Sequence, residues 1–127
     1  MRPIICLTAA AVLFAGSTPL LAKAAKPTAF QIDGTSWLFT EKGTKSRMSV
    51  DADGNYITQS VAGKHLDHGT AVVKDGKVCF TSKMTKEGEI CWTTSPVTVG
   101  HSMKTVSDKG EKLTVTRVKY TPLSMPK

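Results

Sequence analysis

The side chains whose types and spacing suggest chemistry are few in this sequence. Two imidazoles bracket a carboxylate in His65-Leu66-Asp67-His68. A zinc site needs at least three convergent ligands. In a regular extended segment positions i and i+3 face opposite sides, so HLDH reads as a solvated loop in the longest connection. The stretch VDADGNY, residues 50–56, has the acids and glycine of a calcium loop. Counted from Asp51, however, Gly54 and Ala62 fall at the fourth and twelfth places. An EF-hand needs glycine at the sixth and glutamate at the twelfth, and a tight turn led by Asp and Gly accounts for the stretch. His101 shares an alternating face with Val97, Val99 and Met103 in VTVGHSMKTV. It is either a satisfied histidine on an apolar wall or a polar group fixing a ligand inside a barrel. There is no Gly-rich phosphate loop or nucleophile elbow, and no base is marked as a partner for any serine. No catalytic residue, metal or cofactor is therefore assigned.

Cysteine chemistry depends on compartment. The chain opens MRPIICLTAAAVLFAGSTPLLAKAAKPT. Arg2 precedes an apolar run that leads to the small-x-small pattern Ala22-Lys23-Ala24, the anatomy of a secretory signal peptide over residues 1–24. Ser17, Thr18 and Pro19 interrupt the run before the roughly 20 apolar residues that a membrane span requires. Cys6 leaves with this segment, and the mature protein is expected to be periplasmic or secreted. Its removal takes Arg2 and Lys23 and no acid, so the formal charge falls from +7 to +5. About 100 residues remain, enough for one small domain. Cys79 and Cys91 are then the remaining cysteines, and in an oxidising compartment a disulfide is the first reading of such a pair.

The elements that must position these groups are strands. Thr and Val recur, Leu is scarce, and short alternating runs lie at 35–40, 46–51, 55–61, 69–74, 77–82, 88–94, 97–106 and 111–120. Turn signals such as DADGN, DG and SDKG separate them. This pattern predicts an all-β fold, one antiparallel up-and-down meander of about eight strands over residues 34–121, closed or partly open as a barrel. A β-sandwich is the alternative. Residues 25–33 read as a flexible lead-in and 122–127 as a tail. Asp75-Gly76 marks a type I′ hairpin that sets Val73 opposite Val78, Val72 opposite Cys79 and Ala71 opposite Phe80. Pairing Cys79 with Cys91 then sets Val78 against Trp92 and Phe80 against Ile90. Both hairpins put Ala71, Val73, Val78, Phe80, Ile90 and Trp92 on one face. A slip of one residue would turn either strand inside out, so their agreement fixes the register and makes the cysteine pair a cross-strand staple.

Trp37, Tyr56, Trp92 and His101 are the candidates to line a barrel interior, and His65, Asp67 and His68 the candidates in the loop. The longer links near 41–45, 62–69, 83–87 and 107–110 should share one end, the expected mouth, with the tight turns opposite. Lysines concentrated at these links suggest a small apolar or anionic ligand. They form no continuous basic stripe with interleaved aromatics, which argues against nucleic acid.

The pattern DGNY…HGTAVVKDGKVCF…CW, from Asp53 to Trp92, resembles small uncharacterised exported bacterial proteins with a D-G-x-Y…D-G-K-x-C-F…C arrangement. The resemblance implies a lipocalin-like small β fold and no particular activity. Size, export and a single disulfide are also remotely similar to barrel-type bacterial metalloprotease inhibitors, in which a mobile N-terminal arm enters the protease cleft. Three functions follow in order: a non-enzymatic barrel binding a small ligand, a module binding a periplasmic protein such as a hydrolase, and an enzyme using His101 or HLDH.

Overall fold

The computed structural model describes residues 30–127, so the segment read as a signal peptide lies outside the described residues. Eight strands carry the fold: β1 (Thr35–Glu41), β2 (Thr44–Val50), β3 (Asn55–Ser60), β4 (His65–Lys74), β5 (Lys77–Ser82), β6 (Glu89–Thr93), β7 (Ser102–Val106) and β8 (Lys112–Val118). No helix among the described residues is long and apolar enough to cross a membrane. The strands form one antiparallel sheet in the order β6-β5-β4-β3-β2-β1-β8-β7. This is a meander joined end to end through β1 and β8, with its break displaced to the space between β6 and β7.

Backbone and side-chain hydrogen bonds together largely close that break. Trp92 and Ser107 form an isolated bridge. The Thr105 hydroxyl donates to the Thr93 carbonyl at 2.6 Å, and the Val106 N–H donates to Thr93 Oγ1 at 3.0 Å. The Asp108 N–H reaches the Cys91 carbonyl at 2.9 Å. Threonine hydroxyls thus satisfy groups that a regular ladder would otherwise pair, and the sheet is a nearly closed barrel.

The register of the central hairpins is the one expected. Val72 pairs with Cys79, Ala71 with Phe80, Cys79 with Cys91 and Val78 with Trp92. Asp75 and Gly76 have φ of 52° and 74°, the left-handed pair a type I′ turn requires. A disulfide joins Cys79 to Cys91 across directly opposed positions. At the β2–β3 connection Asp51 Oδ1 accepts the N–H groups of Asp53 and Asn55, each at 2.9 Å. The Asn55 N–H, chiefly, holds the Asp51 carboxyl below its ordinary range. VDADGNY is a turn.

Ile32, Trp37, Val50, Tyr56, Ala71, Val78 and Val115 form the buried core. Most of them belong to the strand ends nearest the turns at 51–54 and 75–76, so this end of the barrel is the packed one. Ile32 is buried, and the Phe30 ring lies 6.0 Å from that of Trp37. Both fall in the stretch read from sequence as a flexible lead-in, yet Ile32 belongs to the core and Phe30 packs against it, capping apolar surface the strands leave open. The Thr35 hydroxyl ties this cap down by donating to the Ile32 carbonyl while accepting the Trp37 indole N–H at 2.8 Å. On the outside, Thr121 N–H donates to Ser36 Oγ at 2.8 Å and Leu123 N–H to Ser49 Oγ at 2.9 Å.

Candidate functional site

Above the packed end the barrel is hollow. A cavity of about 570 Å³ runs toward the opposite end. Alternation places its walls, since every second residue of a strand faces inward. Phe39, Met48, Phe80, Ile90, Met103 and Leu113 supply apolar surface above a floor that includes Phe30, Ile32 and Trp37. Glu41, Lys42 and Thr44 from the β1–β2 turn, Thr85, Glu87 and Gly88 from the β5–β6 link, and Glu111 before β8 line the other extremity. That is the end the meander predicts for the mouth.

Trp37, Tyr56 and Trp92 all line this cavity, as their alternation suggests, and His101 does not. His101 is exposed: its N–H donates to the Thr98 carbonyl at 3.0 Å and its Nδ1 lies 3.0 Å from Thr98 Oγ1. The run 97–106 is not one strand. A turn precedes β7, which begins only at Ser102, so the alternation counted through Val97 and Val99 is not that of a strand: Val97 packs against the core and Val99 is exposed.

The HLDH stretch also departs from expectation, being the start of β4 and not a loop. Thr58 pairs with Asp67 while Gln59 pairs with His65, leaving Leu66 as an extra residue in a β-bulge. The bulge resets the alternation. Leu66 and Asp67 both line the cavity. His65 Nε2 and His68 Nδ1 approach to 3.1 Å, one ring N–H donating to the lone pair of the other. The opposition of positions i and i+3 holds for a regular strand and fails across a bulge. Asp67 is engaged elsewhere, so the three groups do not converge as a ligand set. Among the described residues the one group of three metal-binding types within mutual reach is Cys79, Glu89 and Cys91, and its two sulfurs are bonded to each other.

Asp67 is the centre of the polar part of the wall. Its Oδ2 accepts the Tyr56 hydroxyl at 2.8 Å. Its Oδ1 accepts the Ser82 hydroxyl at 2.5 Å and the His68 N–H at 2.9 Å. Ser82 Oγ in turn accepts the N–H groups of Met84 and Thr85 at 3.0 and 3.2 Å, linking the cluster to the β5–β6 link. Burial, and then the carboxylate of Asp67, push the Tyr56 phenol far above its ordinary value. Gly69, paired with Tyr56 on one side and Ser82 on the other, cannot carry a side chain, because a Cβ there would stand 2.0 Å from the Thr81 carbonyl oxygen. Sequence reasoning placed Asp67 in a loop and did not single out Ser82 or Gly69. The one available signal was a glycine inside a strand, which marks close backbone approach.

The charge of the lining reverses the expectation for the mouth. Glu41, Asp67, Glu87 and Glu111 line the cavity against Lys42 alone. Lys83, Lys86, Lys109 and Lys112 occupy the same end of the chain path but do not line it. Comparison with protein-family models, curated proteins and solved structures finds no match.

Proposed function

We propose that this protein is an exported, non-enzymatic binder that holds a small, largely apolar ligand inside its barrel. The observation that carries the reading is the cavity of about 570 Å³, walled by apolar side chains and furnished with one polar cluster. Ligand pockets span roughly 300–1,000 Å³ and combine mostly apolar walls with a few placed polar groups. A barrel of eight strands can fill its interior with its own side chains, and this one has room left over. The Tyr56–Asp67–Ser82 cluster suits anchoring better than proton transfer, since burial keeps the phenol neutral and three donors occupy the carboxylate. A protein-docking module is less well supported, because the most exposed large apolar side chains, Val72, Met84 and Val99, stand on different elements.

Export is part of the same reading. The disulfide favours an oxidising compartment, and processing after Ala24 would release a chain beginning at Ala25. N-terminal sequencing of the protein recovered from the envelope or medium checks this, and recovery of Met1 would refute it. For binding, native mass spectrometry of protein isolated from its producing cells should reveal a retained small molecule that denaturation releases. A mass equal to the bare polypeptide, together with unchanged melting temperature and tryptophan fluorescence across a panel of small apolar compounds, would sink the binding reading.

A further inference from the structure

Resting on the reading of the cavity as a ligand site, we infer that the site selects a compact apolar molecule bearing a protonated amine, with Asp67 as the partner of the ammonium group. A carboxylate offers about four lone-pair sites on its two oxygens. In Asp67 three are engaged, two on Oδ1 by Ser82 and His68 and one on Oδ2 by Tyr56. All three partners donate, and one site is left open on Oδ2 in a residue that lines the cavity. The donors also fix the carboxylate in place, so a ligand would not have to order it.

The surroundings favour a cation over an anion. An N–H donor from an ammonium group to a carboxylate makes a charge-assisted bond about twice as strong as a neutral one. An anion in the same place would meet Asp67 at close range in an interior where charges are weakly screened. The inner edge of the mouth repeats the preference, with Glu41, Glu87 and Glu111 against Lys42. Every other lysine among the described residues lies outside this lining, so overall charge and cavity charge have opposite sign. Phe80 and Trp92 line the same cavity and add aromatic surface for the apolar body of the ligand.

A matched set with one rigid apolar body separates the charge preference from simple burial: 1-adamantanamine, 1-adamantanol and 1-adamantanecarboxylic acid, titrated calorimetrically at neutral pH into the mature protein. The amine should bind at least tenfold more tightly than the alcohol, and the acid more weakly than the alcohol. Raising the salt concentration should narrow the spread. Asp67→Asn should bring the amine to the level of the alcohol while leaving the alcohol unchanged, its fold checked by melting temperature. The wild-type ranking stands as a test even if that variant does not fold. Equal or tighter binding of the acid overturns the inference, as does an amine preference that survives Asp67→Asn. Binding of all three without regard to charge overturns the inference and leaves the binding barrel standing; silence from all three overturns the inference, and with a bare native mass overturns both.

Discussion

The Tyr56 hydroxyl donates to Oδ2 of Asp67 at 2.8 Å, joining β3 to the bulged start of β4 inside the barrel. The same phenol ring packs edge-on against Phe80 with centroids 5.2 Å apart. One side chain therefore belongs both to the apolar wall and to the polar cluster, and it orients the carboxylate on which ligand selection is argued to depend.

Removing this hydroxyl should be visible in stability and in its pH dependence. Tyr56→Phe keeps the ring contact and deletes one donor to a half-buried carboxylate, a loss of about 1–3 kcal/mol. The folded-state value of the phenol is raised above its ordinary 10.0, mainly by burial. Its contribution is thus fully present below about pH 10 and is lost as the pH rises beyond it, because the unfolded chain ionises there and the folded one does not. Denaturant unfolding at pH 7, 9 and 11 should show wild type losing more stability in the alkaline step than Tyr56→Phe. Equal losses would mean that the phenol is not held neutral by the fold.

Gly69 should tolerate no side chain. Its Cβ would fall 2.0 Å from the Thr81 carbonyl oxygen, which is backbone and cannot swing away. Gly69→Ala is expected to cost about 3 kcal/mol or more, the upper range for point substitutions. It should also disturb the neighbouring Ser82–Asp67 bond. A melting temperature within a degree or two of wild type would refute the close approach.

The parts that could be read from sequence are those where two local rules constrain the same residues. Asp75-Gly76 fixed one hairpin and the cysteine pair the next, and each independently assigned Val78 and Phe80 to the interior. The bulge at Leu66 was illegible because no residue type in HLDH announces an extra position, and the whole face of Asp67 hangs on it. His101 was misplaced for a related reason: alternation in 97–106 was counted through a turn. Connectivity grouped the longer links at the end where Glu41, Thr85, Glu87 and Glu111 line the cavity, but the charge of that end was inferred from which links carry lysine. Direction decides charge inside a cavity, and lysines at turn tips point their ammonium groups to water.

The Cys79–Cys91 bond closes a short loop between paired strands at the side of the incompletely laddered seam. The chain-entropy model gives about 3 kcal/mol for a loop of about 15 residues. Cys79→Ala with Cys91→Ala should therefore lower stability by roughly 2–4 kcal/mol. Without reductant the native mature protein should present no thiol to a labelling reagent. Quantitative labelling of both cysteines would contradict the staple.

The space inside the barrel predicts the sign of a stability change. Met48 and Met103 line the cavity and are partly buried against the core, so replacing both with tryptophan adds apolar volume where the structure leaves space. Filling an existing void commonly stabilises by about 0.5–2 kcal/mol, whereas forcing extra atoms into a packed core costs about 1–3 kcal/mol. The double variant Met48→Trp, Met103→Trp should accordingly melt higher than wild type. The same variant should bind 1-adamantanol at least tenfold more weakly, because the ligand and the new indoles compete for one volume. A lower melting temperature would identify a solid interior and remove the basis for a binding barrel. A higher melting temperature with unchanged adamantanol affinity would place the ligand elsewhere on the protein.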